Sequence, residues 1–211
     1  MRELIIVMFL SLPLAVLGDD SVIHSLHNLS RSGPGQIKSS TEIEVCKFCH
    51  IPHTADPVEA LWGHQLSTAQ YEIYTSDTLD STMDQPNGSS KLCLSCHDGT
   101  IALGGLINQN LDVGPMPFSS GGFIGTDLSG SHPVSMVVDN GVVASNNSRY
   151  KSLNNLSDMT ADSDGVALDG NMRFQCTSCH DPHSDLNYGS SGIHFWRKST
   201  FSEACLVCHT P

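Results

Sequence analysis

Every cysteine of this chain belongs to one of four Cys-x-x-Cys-His motifs. They are Cys46-Lys-Phe-Cys49-His50, Cys93-Leu-Ser-Cys96-His97, Cys176-Thr-Ser-Cys179-His180 and Cys205-Leu-Val-Cys208-His209. Two thiols three positions apart on a helical turn can straddle one edge of a porphyrin and form thioethers with its vinyl groups. The residue that follows then points beneath the ring, where an imidazole binds iron. Disulfides and zinc sites also use Cys-x-x-Cys pairs, but neither requires a histidine directly after every pair. The residues therefore point to four covalently bound haems c.

Iron held by protein on one face keeps a position open for a substrate, whereas iron held on both faces passes electrons only. The supply of further histidines decides between these. Seven lie outside the motifs: His24, His27, His53, His64, His132, His183 and His194. Four are needed, so histidine on both faces of every iron is feasible. His53 and His183 stand out because each follows a motif histidine by three residues, in His50-Ile-Pro-His53 and His180-Asp-Pro-His183. The proline ends the helical turn, so each imidazole is expected to ligate a haem other than the one attached beside it. His132 precedes Pro133, which would hold it rigidly; His27, His24 and His64 stay open as further candidates. Met83, Met116, Met136, Met159 and Met172 could act as sulfur ligands, although the histidines make them unnecessary.

The elements that must carry these groups are short. Thr41-Glu-Ile-Glu44 and Thr200-Phe-Ser-Glu203 read as capping boxes leading into Cys46 and Cys205. Ser90 is a candidate cap for a helix carrying Cys93 and Cys96 and ending at Gly104-Gly105, and Ser67 opens a possible short helix through Tyr74. Val134 to Ala144, with Asn140-Gly141 at its centre, reads as a small β-hairpin. Asn108 to Gly130 and Ser145 to Gly170 read as loops, the second holding Asp162-Ser-Asp164-Gly165, a faint echo of a calcium loop without its remaining ligands. Aromatic residues make up only 6% of the chain, too little to bury much apolar surface without help. The expected fold class is a multihaem cytochrome c, mostly irregular coil with short haem-bearing helices and a small β-hairpin, organised by a stack of four haems.

Residues 1–18 read as a signal peptide, with Arg2, an apolar stretch from Leu4 to Leu17 and a small-residue end. That stretch, at about 1.5 Å per residue, reaches roughly 21 Å, short of a hydrocarbon core of roughly 30 Å. The remaining organisation is an extended N-terminal arm (19–45), a first dihaem module (46–106), a loop region with the hairpin (107–170) and a second dihaem module (171–211). The net charge of −12 disfavours nucleic acid or an anionic membrane as a partner.

Several multi-residue motifs resemble a known group in order along the chain: His27-Asn-Leu-Ser, Ser32-Gly-Pro-Gly35, Cys46-x-Phe-Cys-His-x-Pro-His53, Leu61-Trp62, Lys91-Leu-Cys-Leu-Ser-Cys-His-Asp-Gly99, His132-Pro-Val-Ser135 and Cys176-Thr-Ser-Cys-His-Asp-Pro-His183. They are similar to the doubled-CxxCH tetrahaem cytochromes, including the OmcE-type outer-surface cytochromes that form extracellular filaments. The resemblance implies haems ligated by histidine on both faces, in a continuous stack, with one axial histidine supplied across the subunit interface. It selects His27 and His132 as ligands beside His53 and His183, and leaves His64, preceded by Gly63, in reserve.

The function expected is electron transfer in an exported protein, extracellular or at the cell surface. Its partners would be identical subunits, with His27 reaching the next one, together with other redox proteins or external acceptors. A soluble periplasmic carrier is the alternative. A multihaem reductase is disfavoured because no substrate-facing Lys or Arg constellation stands out, so no catalytic residue is assigned.

Overall fold

The computed structural model describes residues 22–52, 61–79, 81, 83–139, 141–142, 149–151 and 166–211. The expected signal peptide, His53 and the Asp162–Gly165 segment lie outside the described residues. Regular structure is brief. Short 3-10 turns at Val22–His24 and Cys46–Phe48 precede α1 (Gly88–His97), β1 (Met136–Val137), β2 (Arg173–Phe174), α2 (Cys176–Cys179), α3 (Tyr188–Ser191) and α4 (Phe201–Cys208). Coil dominates the rest, as 18 glycines and 10 prolines in the chain favour. No described helix is long and apolar enough to cross a membrane.

Apolar packing is divided into small clusters. Phe48, Leu103 and Val113 are buried together against Leu29, Ile37 and Cys96, joining the first two motifs to the N-terminal arm. Val166, Trp196 and Ala204 pack against Cys179 and Cys208, joining the last two. Tyr71, Leu94 and Leu128 form a third cluster, which includes Leu94 of α1.

Polar knots tie these clusters together. Gln175 is 1% exposed; its Oε1 accepts from the hydroxyls of Ser90 (2.6 Å) and Ser135 (3.1 Å), and its Nε2 donates to Asp169 Oδ2 (2.9 Å) and Asn87 Oδ1 (3.2 Å). One side chain thus fastens α1, β1 and α2. A buried polar group left without its partner costs about 1–3 kcal/mol, so such a knot tolerates little change. Asp98, immediately after α1, is a second: it accepts from Ser67 Oγ and Tyr71 Oη, both at 2.6 Å, and from the Thr100 amide at 2.7 Å. Burial alone would raise its carboxyl, but these donors outweigh that and hold it below the usual range.

Several local expectations are corrected. Ser90 is not the cap of α1: the helix follows Asn87, and Ser90 is turned inward, also accepting from the Cys176 amide at 3.0 Å. The helix stops at His97 rather than Gly104-Gly105 because Gly99 adopts φ +73°, where a Cβ would meet the Phe123 ring at 2.5 Å. Ser67 to Tyr74 is extended coil, since Ser67 spends its hydroxyl on Asp98. The Thr41 box gives way to Ser39, whose Oγ accepts from the amides of Thr41 and Glu42. Thr200 does cap α4, accepting from the Glu203 amide at 3.3 Å.

A two-stranded antiparallel pair exists, but its strands are far apart in sequence. Met136 pairs with Phe174 and Val137 with Arg173. Beyond β1, Asp139 Oδ1 accepts from the Val142 amide at 2.9 Å and the backbone at Gly141–Val142 is helical. This local side-chain bond competes with the expected hairpin turn.

The N-terminal arm folds back instead of extending. Arg31 N–H donates to Glu42 O (2.7 Å) and Ser39 N–H to Leu29 O (2.8 Å), while buried Asn28 donates to Ile23 O at 2.7 Å and accepts from Ser30 Oγ at 2.7 Å. Gly33 is required at the bend, since a Cβ there would lie 1.9 Å from Asn28 O. Asp112 anchors the return by accepting from the hydroxyl of Ser39 and from the hydroxyl and amide of Ser40.

Those donors, the Ser39 hydroxyl first, hold the Asp112 carboxyl well below the usual carboxylate range. A depressed carboxyl stabilises the fold above its unfolded value, about pH 4, and loses that contribution as pH falls through the depressed value. Asp112→Ala should therefore release residues 28–42 to rapid amide hydrogen exchange at neutral pH, where the wild type stays protected. Equal protection in the two proteins would show that Asp112 is not the anchor.

Candidate haem-attachment and ligand sites

All four motifs form a helical turn. Cys93 and Cys96 lie on α1, Cys176 and Cys179 on α2, Cys205 and Cys208 on α4, and Cys46 begins the 3-10 turn that leads to Cys49. Outside α1, the histidine amide closes the turn on the first cysteine's carbonyl, at 2.9 Å for His50, 3.0 Å for His180 and 2.9 Å for His209. All eight cysteines are free thiols. Burial keeps most protonated, pushing Cys49 up to about 11, Cys179 to about 12 and Cys208 to about 11. The packing of α1 against α2 brings the second and third motifs together.

Three motif imidazoles face a second imidazole. His97 faces His27 with ring centres 5.9 Å apart, His50 faces His183 at 6.1 Å, and His209 faces His132 at 6.4 Å. Two imidazoles on opposite faces of one metal, each nitrogen about 2 Å from it and about 1.1 Å from its ring centre, have centres roughly 6 Å apart. The paired planes meet at 63°, 17° and 75° respectively. His183 thus lies opposite a motif histidine other than its own neighbour His180. His53, its counterpart, is outside the described residues, and the described ring against His180 is Trp196.

Tautomers are set for ligation. A carbonyl only accepts, so Nδ1 is the protonated nitrogen where it faces one. This holds for His97 with Gly122 O (2.6 Å), His180 with His194 O (3.0 Å) and His132 with Pro133 O (2.9 Å). Such an anchor fixes a metal-binding ring and leaves Nε2 its lone pair. Burial, aided by His97, pushes the His27 imidazole down to about 4. Burial also lowers His180 and His209, which favours the neutral form of each ring.

Within this chain the folded arm places His27 against His97, so a reach to the next subunit is not needed to bring it to a motif histidine. His64 is 0% exposed, and both its nitrogens point at carbonyls, Nδ1 at Gln65 O (2.8 Å) and Nε2 at Ala102 O (3.1 Å). His194 is bound by Nδ1 to Asp185 Oδ2 at 2.7 Å and stacked on Tyr188; His24 is exposed.

A structural repeat was missed in the sequence. Ile51 N–H donates to Leu61 O and Gly63 N–H to Cys49 O; in the same pattern Asp181 N–H donates to Phe195 O and Arg197 N–H to Cys179 O. Leu61 and Phe195 share a left-handed backbone, φ 63° and 60°, which costs about 1–3 kcal/mol for a bulky residue. The reward is placement of the residue that follows. Trp62 stands edge-on to His50 and Trp196 to His180, interplanar angles 87° and 73°. These are the only two tryptophans of the chain, and that pairing was the available signal.

Among the described residues no three His, Cys, Asp or Glu side chains converge as ligands of one metal ion, and the paired imidazoles have the spacing that a metal ligated on two faces would need. Haem would be held by the eight cysteines and the facing histidines, and would supply one-electron chemistry. No family model matches the chain, and no curated protein is found to be similar to it.

Replacing His183 or His132 by Ala should leave four haems attached, as mass spectrometry reads, and convert one iron in four to a high-spin or substituted state. Unaltered electronic spectra in both variants would remove these residues from the ligand set.

Proposed function

We propose that the chain is a tetrahaem c-type cytochrome that transfers electrons, exported from the cell and serving as the subunit of an extracellular conductive filament. The observation that carries the electron-transfer reading is the set of three imidazole pairs at 5.9, 6.1 and 6.4 Å. Iron ligated on both faces offers no site for a substrate, so these three positions favour relay over catalysis. The histidine anchors at Gly122, His194 and Pro133 carbonyls support it further, since a ring held in place limits reorganisation when charge changes. Identical subunits and external acceptors are the proposed partners.

One observation favours a second reading, a soluble periplasmic carrier. His27 meets His97 within one chain, so that ligand pair needs no neighbour. Electron microscopy of surface material sheared from producing cells separates the two: filaments containing this chain support the first, and a monomer confined to the periplasm supports the second.

The ligand geometry makes a spectroscopic prediction. Crossed imidazole planes leave two iron d-orbitals nearly degenerate and give a highly anisotropic low-spin signal, whereas near-parallel planes split them and give a rhombic one. Oxidised protein should show both, the rhombic component from His50–His183 and the anisotropic one from the pairs at His97 and His209. A substantial high-spin signal in intact protein would contradict ligation on both faces.

A further inference from the structure

Two of the three facing imidazoles that come from outside the motifs are backed by a phenyl ring. Phe195 stacks on His27 with ring centres 4.3 Å apart and planes at 23°. Phe174 lies 4.5 Å from His132 at 36°. The third, His183, has a side chain 70% exposed, and its described ring neighbour is His50 alone.

The backbone holding Phe195 is fixed from both sides. Its amide donates to Asp185 Oδ1 at 2.5 Å and its carbonyl accepts from Asp181 N–H at 2.7 Å. Asp185 in turn holds His194 at 2.7 Å. The left-handed conformation itself does not call for an aromatic residue: Leu61 has the same backbone in the first module and is 54% exposed, while Phe195 is 6% exposed. The ring at position 195 is therefore the part of the repeat that differs, and what it meets is His27. Phe174 is placed by comparable means. It sits in β2 opposite Met136, and its carbonyl accepts from Ser135 N–H at 2.6 Å, three residues beyond His132.

His27 and His132 belong to coil, where no helix restrains the ring's rotation about its side-chain bonds. Nδ1 of His132 has one carbonyl anchor; a flat apolar face supplies the second restraint, against rotation of the plane. Resting on the ligand reading given above, we propose that Phe195 and Phe174 are positioning residues that fix the planes of His27 and His132 as axial ligands, and so hold those two irons in their crossed-plane state. The second module thereby sets the ligand field at His97, a site of the first module.

Full-length holoprotein variants test this, with attached haems counted by mass and the irons read by low-temperature EPR. Phe195→Leu and Phe174→Leu should each keep four haems and shift or broaden a different part of the anisotropic component, leaving the rhombic component of His50–His183 unchanged. Tyrosine at either position should restore the wild-type spectrum, and the double leucine variant should alter both of those parts together. Wild-type spectra in both leucine variants would overturn the proposal, as would a general loss affecting all components equally. If Phe195→Leu yields no folded protein, Asp185→Ala, which frees the Phe195 amide but keeps the ring, should shift the same part, and no shift there would equally overturn it. His27→Ala separates the two levels of the argument. If it changes one iron while Phe195→Leu and Phe174→Leu do not, the positioning role alone fails; if it too changes nothing, His27 is no ligand and the reading beneath it fails.

Discussion

The constraint on which the rest of this structure depends is the separation between facing imidazoles, held near 6 Å at three places in a chain with almost no regular structure. A ring in coil has rotational freedom that burial alone does not remove. Here that freedom is removed by hydrogen bonds from ring nitrogen to carbonyl, by aromatic contacts, and by backbone segments whose polar groups are satisfied inside the protein. The abundance of buried serine follows from the same need. Ser30, Ser39, Ser67, Ser90, Ser95, Ser135 and Ser178 are all buried, and each supplies a small hydroxyl where coil leaves an amide or carbonyl without a ladder partner.

The two dihaem segments of the sequence are not independent bodies. His183, three residues from the third motif, faces the first; His27, ahead of the first motif, is backed by Phe195 from the second segment and faces the second motif. Gln175 ties α1 to α2 with both ends of its amide. Each segment supplies a group that the other needs, so neither has a complete set of facing rings by itself. Such interlocking also keeps the helical turns of the second and third motifs packed together.

The helical turns at the four motifs were legible because they are local. A Cys-x-x-Cys-His segment carries its own helical turn, and the Thr200 cap needs only Glu203. The failures are non-local. Ser90 reads as a cap until Gln175, 85 residues away, claims its hydroxyl. Ser67 reads as a helix start until Asp98 claims it. The hairpin centred on Asn140-Gly141 lost to a strand at Arg173–Phe174 that no periodicity connects with Met136–Val137. The left-handed residues Leu61 and Phe195 oppose their own preference, so propensity argues against them, and only the recurrence of tryptophan after each hints at a shared device.

Placing His27 within its own chain changes how assembly and ligation can be linked. If the arm had to complete a neighbour's haem, every subunit would wait for the next. With His27, His132 and His183 each opposite a motif histidine of the same chain, that dependence shrinks to one position, His180, whose described ring neighbour is Trp196. Two supplies are consistent with the sequence pattern there. His53 stands to its motif as His183 stands to the third, and its use would complete a self-contained carrier by exchange between the two segments. An imidazole from another subunit would instead make ligation at that single iron the bond that drives a filament to grow. On the function proposed above, the distinction between carrier and filament becomes a question about what would face His180, since the other three imidazole pairs are the same in both readings.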